Sequence, residues 1–333
     1  AMGDLDEETA ALPGDGTVLA ANDITTDAEP EPSASVRDIY DAAVVEAVRL
    51  FQDRHGLNTD GLVGPATRRA VNRSPGYRAR QIAVNLERLR WTNRPLGDRH
   101  VMVNLPGFRV ALVEDGRETF TSRVVIGTRE HQTTEFSDEM EFMVVNPTWH
   151  VPRSIVSDEI LPALRKDPSY LARKNMELVG VEMDPALIAW EFITPQTFPG
   201  RVRQLPGPGN ALGSVKFKFP NRHAIYLHDT PQKSLFRRDV RAYSHGCVRV
   251  MEPEAFAHAL LRPQYEDPAR SFDRWRQRSG EVYVHLDRHV PVHITYRTAP
   301  VVERAPAHFR GDVHGRARRM AGAPETAGLA LPP

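Results

Sequence analysis

The sequence predicts an α+β chain: a mainly β domain interrupted by a helical cap subdomain, with a small helical module ahead of it. Three observations carry this. From about residue 100 the apolar residues recur with a period of two, in HVMVNLP, FRVALVED and ETFTSRVVIG, short β-branched runs set apart by Pro-Gly and Asp-Gly turns. Residues 153–205 interrupt that pattern with helical turns, SDEILPALRKD and SYLARKNM, before strands resume at SVKFKF and HAIYLH. Before residue 92 the apolar spacing is instead that of helices.

The N-terminal elements follow in order. Residues 10–36 are rich in Ala, Pro, Asp and Thr without periodicity and are expected to form a mobile loop. In DAAVVEAVRLFQDRHG, Val44, Ala47, Val48 and Phe51 make one apolar stripe, and Gly56 supplies a stop. Asp60-Gly61 marks a turn, and Pro65 suits the first position of a short helix, PATRRAVN, where no intrahelical donor is needed. Residues 78–91 form an amphipathic helix with Ile82, Leu86 and Leu89 on one face, within a linker spanning 76–99. The main domain spans 100–298 and closes with helix PEAFAHALL and strands VYVHL and VHITYR. The tail, 299–333, is Pro-, Ala-, Gly- and Arg-rich and is expected to be disordered.

Composition bounds the function. A chain of 333 residues suits two domains, or one with an appendage. With 41% apolar and 26% charged residues and a mean hydropathy of -0.44, it is an ordinary globular composition. The 43 basic and 43 acidic residues balance, which argues against a nucleic-acid partner. The balance hides an asymmetry: the first 36 residues hold nine carboxylates and no Lys or Arg, so the rest carries 43 basic against 34 acidic residues. No apolar run approaches the roughly 18 residues of a membrane helix, and no signal-peptide order is present. Beginning with Ala, the chain is read as a fragment or processed form whose native N-terminus, with any targeting signal, lies outside it.

The single cysteine, Cys247, cannot form an internal disulfide, so its chemistry is that of a free thiol. A reactive thiol needs cationic or hydrogen-bonding neighbours to lower a pKa of about 8.5. His245 lies two residues before it, Arg249 two after, and His228 stands 19 positions upstream. Gly246 lets a substrate approach the backbone, whose amides then point at a developing oxyanion. Alternation in HAIYLH places Ala224, Tyr226 and His228 on one face; in CVRV it pairs Cys247 with Arg249 and sends Val248 and Val250 inward. Residues 201–249 hold ten Lys or Arg and two Asp, a field that attracts anions. Spacing alone leaves three readings open: a nucleophile, an inert buried cysteine, and a zinc site of His228, His245 and Cys247.

Two stretches add a resemblance. His228, fifteen residues, then Ser244-His245-Gly246-Cys247 resembles the signature of the L,D-transpeptidase (YkuD) catalytic domain, a bacterial peptidoglycan enzyme, and the likeness extends over residues 100–297. AVRLFQDRHGLNTDGLVGPATRRAVN resembles the helical type 1 peptidoglycan-binding domain across residues 44–72. That module usually opens with one more helix, of which AMGDLDEE resembles the tail, so a truncated module within residues 1–75 is implied. The insertion after NPTWHVP points to the large YcbB-like (LdtD-like) branch, where Arg249 replaces the usual Asn of HGCxN.

The resemblance implies Cys247 as nucleophile, His228 as general base, and His245 and Gly246 shaping the oxyanion hole. Tyr226, Ser244, Arg249 and Trp149 are the expected substrate contacts, with core packing as the alternative for Trp149 and a structural acid as the alternative partner of Arg249. It implies a thioester formed from tetrapeptide stems and resolved by a diamino-acid amine into a 3→3 crosslink, with neither metal nor organic cofactor. Carbapenem β-lactams are implied inhibitors, other wall-synthesis proteins implied partners, and the periplasmic wall the implied location. Transfer to water (an L,D-carboxypeptidase) or to a protein amine uses the same acyl-enzyme, and a non-catalytic wall-binding scaffold is the rival from another class.

Overall fold

The computed structural model describes residues 39–92, 94–300 and 307–326. The expected loop at 10–36 and the AMGDLDEE stretch lie outside them. The elements below fall in one compact unit that begins at residue 43, α1 starting one residue before it.

Its helices come first: α1 (Ala42–Arg54), α2 (Pro65–Val71) and α3 (Pro75–Arg90). Ser74 caps α3, its hydroxyl accepting from the Tyr77 amide, and Pro75 occupies the first turn. The face of α3 that is buried is not the expected Ile82–Leu86 stripe, both of which are exposed, but Gln81, Val84 and Asn85. The reason is polar: Gln81 Nε2 donates to the carbonyls of Thr298 and Arg310, and Asn85 Nδ2 to Thr298 Oγ1. These bonds, with Phe309 N donating to Arg54 O, tie the helices to the C-terminal segment. Residues 43–75 accordingly fall within the same compact unit as the sheet.

The sheet domain runs β1 (Arg99–Asn104), β2 (Arg109–Glu114), β3 (Arg117–Gly127) and β4 (Phe136–Val145), then an insertion. The insertion holds β5 (Trp149–His150), α4 (Arg153–Ile155), one π-helical turn (Val156–Ile160), α5 (Leu161–Lys166), α6 (Tyr170–Arg173), β6 (Met176–Val179) and β7 (Arg201–Gln204). After it come β8 (Val215–Lys218), β9 (Leu227–His228), β10 (Ala242–Ser244), β11 (Val248–Val250), α7 (Pro253–Leu261), α8 (Pro268–Arg276), β12 (Val282–Thr295) and α9 (Arg316–Thr326). The nine-stranded sheet is ordered β10-β3-β11-β9-β8-β4-β12-β1-β2, and because β3 also pairs with β2, all but β10 form a closed ring. Closure leaves those strands no open edge. The enclosed core includes Val103, Leu112, Met143, Phe217, Val248 and Val292, and α7 adds Phe256 and Leu260 to it.

Two expectations change. The insertion is not purely helical: β5, β7 and β6 form a three-stranded antiparallel sheet around a separate core of Leu161, Leu164, Trp190 and Val202. Nor is the tail disordered throughout, since residues 307–326 are ordered and end in α9. Asp312 accepts from the hydroxyl of core Tyr296 at 2.6 Å, and buried His314 bonds the Gly127 carbonyl through Nε2 at 2.9 Å. Polar anchors rather than apolar periodicity order this segment, which is why composition gave no sign of it.

Candidate active site

The site forms where β9 and β11 run parallel, with Leu227 opposite Val248 and His228 opposite Arg249. Val248 and Val250 are fully buried, while Cys247 and Arg249 are partly exposed. The preceding strand is shorter than its sequence suggests. Asn221 folds residues 219–225 into a loop, its amide donating to the carbonyls of Phe219 and Ile225 and its oxygen accepting from the amides of His223 and Ile225. Ala224 takes φ +52 and leaves the alternation, although Tyr226 and His228 still share a site, their rings 5.6 Å apart. The Cys247 thiol lies 3.8 Å from the Ala224 carbonyl.

His228 is buried, and its Nδ1 faces the Asp229 carbonyl at 2.5 Å. A carbonyl only accepts, so Nδ1 carries the proton and Nε2 is left as the basic nitrogen. Burial, aided by the Arg249 charge, lowers His228 to about 3. Burial likewise pushes the Cys247 thiol up; the Tyr226 amide and hydroxyl and the charges of Lys218 and Arg249 oppose it. Both shifts favour a neutral thiol and a neutral imidazole at rest over a thiolate–imidazolium pair. Tyr226 is held protonated by its own burial, with Lys218 Nζ 4.9 Å from its ring.

The other expected residues fall in three places. Ser244 is buried, its hydroxyl donating to the Cys247 carbonyl at 2.5 Å and accepting from the Gly246 amide at 3.1 Å. It shapes the cysteine loop instead of presenting its side chain to substrate, and it occupies the Gly246 amide expected at the oxyanion. Gly246 itself takes φ +114, a left-handed conformation that favours glycine, and its carbonyl accepts from Thr133 Oγ1. His245 turns outward, with Nε2 3.2 Å from Glu159 and its ring 4.9 Å from that of His131. So turned, it does not join His228 and Cys247, and among the described residues no group of three His, Cys, Asp or Glu side chains converges as a metal site. Trp149 packs against the insertion's own core, the alternative of the two readings. Arg249 donates to Gln232 Oε1 at 2.6 Å, with its buried Nε unpartnered among the described residues.

Five participants had no motif to announce them. Asp229 fixes the His228 tautomer through its carbonyl, while its carboxylate accepts from Ser214, Thr230 and Lys233. Lys218 on β8, Thr133 and His131 after β3, and Glu159 on the π-helical turn complete the set. Alternation in SVKFKF was the one available signal, since it puts Lys216 and Lys218 opposite core residues Val215 and Phe217.

Comparison with known proteins gives two family matches: the L,D-transpeptidase catalytic domain (YkuD) over residues 98–287, and the "Putative peptidoglycan binding domain" over residues 27–71. A "Putative L,D-transpeptidase" of Haemophilus influenzae is 39% identical over 187 residues, 55% of this chain but 37% of that protein. The chain thus matches little more than a third of this curated relative's length. Among solved structures, an L,D-transpeptidase from Mycobacterium smegmatis is 11% identical, covering 60% of this chain and 58% of that one with a TM-score of 0.28. Another, from Xylanimonas cellulosilytica, is 18% identical, covering 75% of this chain and 78% of that one with a TM-score of 0.26. Overlaps this loose carry no argument about residues, but the catalytic-domain match spans more than half of the sequence. The chain belongs to the L,D-transpeptidase (YkuD) family.

Proposed function

We propose that this chain forms 3→3 peptidoglycan crosslinks through a Cys247 thioester. The observation that carries the reading is the His228–Asp229 hydrogen bond, which leaves Nε2 as the acceptor in a buried site two register positions from Cys247, on the same face of the paired strands. As Sγ attacks the carbonyl of the third residue of a tetrapeptide stem, its proton passes to Nε2 of His228. The Tyr226 hydroxyl and the Lys218 charge meet the developing negative charge. The C–N bond to the terminal D-Ala breaks, the leaving amine takes the proton from His228, and a thioester remains. A side-chain amine on a neighbouring stem then attacks, giving its proton to His228 while the thiol departs. Starting from a neutral pair suits this cycle, since the thiolate forms only as substrate arrives. The helical module and the insertion support a wall-associated enzyme of the large YcbB-like branch, and the same thiol is the expected target of carbapenems.

Incubation with a purified disaccharide-tetrapeptide, read by mass spectrometry, tests this. The parent protein should yield the 3→3 dimer and take up one carbapenem mass on the Cys247 peptide. Cys247→Ala should do neither, and His228→Ala should lose about 10²- to 10⁴-fold in rate. Crosslinking retained by Cys247→Ala would sink the mechanism; monomeric tripeptide as the sole product would make the enzyme a carboxypeptidase.

A further inference from the structure

The seam between α3, the loop after β3 and the C-terminal segment contains two adjoining cavities of about 610 and 530 Å³, which share Arg73, Tyr77, Arg129 and Asp312. They form one trench, and its walls carry Arg69, Arg73, Arg78, Arg80, Arg129 and Arg318. Among the described residues none of these six forms an ion pair. The trench carboxylates are engaged elsewhere: Asp312 accepts from the Tyr296 hydroxyl and the Ala317 and Arg318 amides, Asp239 from the Asn58 amide, and Glu130 from its own amide and the Thr128 hydroxyl. Arg73 lies 4.7 Å over the Tyr77 ring and Arg78 lies 4.5 Å over Phe309. Stacking holds the Arg73 guanidinium plane while leaving its edge N–H groups for an acceptor. Arg78 already donates to Gln81 Oε1 and the Ala70 carbonyl, and Arg129 donates its Nε to the Val313 carbonyl while its terminal N–H groups remain for a ligand.

We propose that this trench is a second binding site, for the carboxylates of a peptidoglycan stem peptide on a strand other than the one at Cys247. The inference rests on the peptidoglycan reading above and adds a place for the second strand. Planar guanidiniums match carboxylates two bonds at a time, and Leu57, Tyr77, Val240 and Phe309 give the apolar surface that a peptide's aliphatic parts require. A pocket of this size suits a compact ligand, whereas a long polyanion needs an open basic stripe. The location is favourable as well. The loop that lines the trench at Thr128, Arg129 and Glu130 continues into His131 and Thr133, which touch His245 and Gly246 of the cysteine motif.

The test is calorimetry on Cys247→Ala protein, which cannot consume its ligand, with a free-carboxylate disaccharide-tetrapeptide, its fully amidated counterpart, and polyphosphate as probes. The free-carboxylate stem should bind with an affinity that falls about 10-fold or more when Arg73→Gln and Arg129→Gln are added, the range expected for losing charged hydrogen bonds. The amidated stem should bind the parent about as weakly as the free stem binds the doubly substituted protein. Arg69→Glu serves as an independent second variant and should weaken the free stem likewise. Unchanged affinity in both variants, equal binding of the amidated stem, or polyphosphate binding more tightly than the stem would each overturn the proposal. Carbapenem acylation of the Arg73→Gln/Arg129→Gln protein with Cys247 intact should proceed at the parent rate, showing that the site at Cys247 stands. Weakened stem binding in a protein that makes no crosslinks would keep the trench and reject the function; crosslinking with stem binding indifferent to these arginines would do the reverse.

Discussion

Glu159, on the π-helical turn of the insertion, places a carboxylate oxygen 3.2 Å from Nε2 of His245, two residues before the thiol. This contact joins the insertion to the cysteine loop. Both side chains are more than a third exposed, at 53% and 37%, so the pair contributes little to stability. Glu159→Gln should move the unfolding free energy by less than about 1 kcal/mol. It should nonetheless raise the ratio of hydrolysed to crosslinked product, because a looser insertion admits water to the thioester. Product analysis by mass spectrometry reads that ratio; a value equal to the parent's means that the contact does not control access.

The His228 environment sets a pH dependence whose sign is fixed. Its folded pKa, about 3, lies below the unfolded value of about 6.5. Unfolding therefore takes up a proton between those values, so stability is full above about pH 6.5 and declines as pH falls toward 3. Cys247, raised by burial, acts at the other end: its contribution is present below the ordinary thiol range and is lost as pH rises through the folded value. Thermal midpoints measured across pH should show a shallower acid slope for His228→Asn and a shallower alkaline slope for Cys247→Ala. An acid slope unaltered by His228→Asn would assign it to the carboxylates.

Gly213 is the backbone position on which the base depends. A Cβ there would stand 2.2 Å from Asp229 Oδ2, and the residue has φ +59, so both space and conformation exclude a side chain. Gly213→Ala should destabilise the protein by about 2–4 kcal/mol and displace Asp229, whose carbonyl holds the His228 proton. Chemical denaturation and the rate of carbapenem acylation should fall together, the latter by more than about 10-fold. Parent-like acylation would detach Asp229 from the function of His228.

Ending the chain after residue 300 removes Asp312 from the Tyr296 hydroxyl and His314 from the Gly127 carbonyl. Tyr296 is 1% exposed, and its hydroxyl would be left buried without this partner. A loss of about 2–4 kcal/mol is expected, since each orphaned buried polar group costs about 1–3 kcal/mol. Because Gly127 also donates its amide to Thr133 Oγ1, which in turn bonds the Gly246 carbonyl, acylation should slow as well. Urea unfolding of the shortened chain, with a midpoint matching the parent's, would reduce the segment to an appendage.

By itself the sequence determined the elements whose chemistry is local. Period-two runs gave the strands of the sheet domain, Pro65 and Pro75 sit in the first turns of their helices, and the resemblance of His228 and the Ser244–Cys247 stretch to a family signature pointed to the candidate pair. Only the tertiary structure decided the rest, because it depends on partners distant along the chain. Gln81 and Asn85 are buried, and Asp312 is held, by bonds to segments distant in sequence, so apolar periodicity selected the wrong face of α3 and missed the order in residues 307–326. Asn221 cut short a strand that alternation had extended. Ser244 and His245, adjacent in the motif, point to different partners because one hydroxyl closes the cysteine loop while the imidazole meets a carboxylate from the insertion. Proton positions, too, are tertiary: the sequence placed cations around a thiol, but burial of both groups outweighs those charges and holds the resting pair neutral.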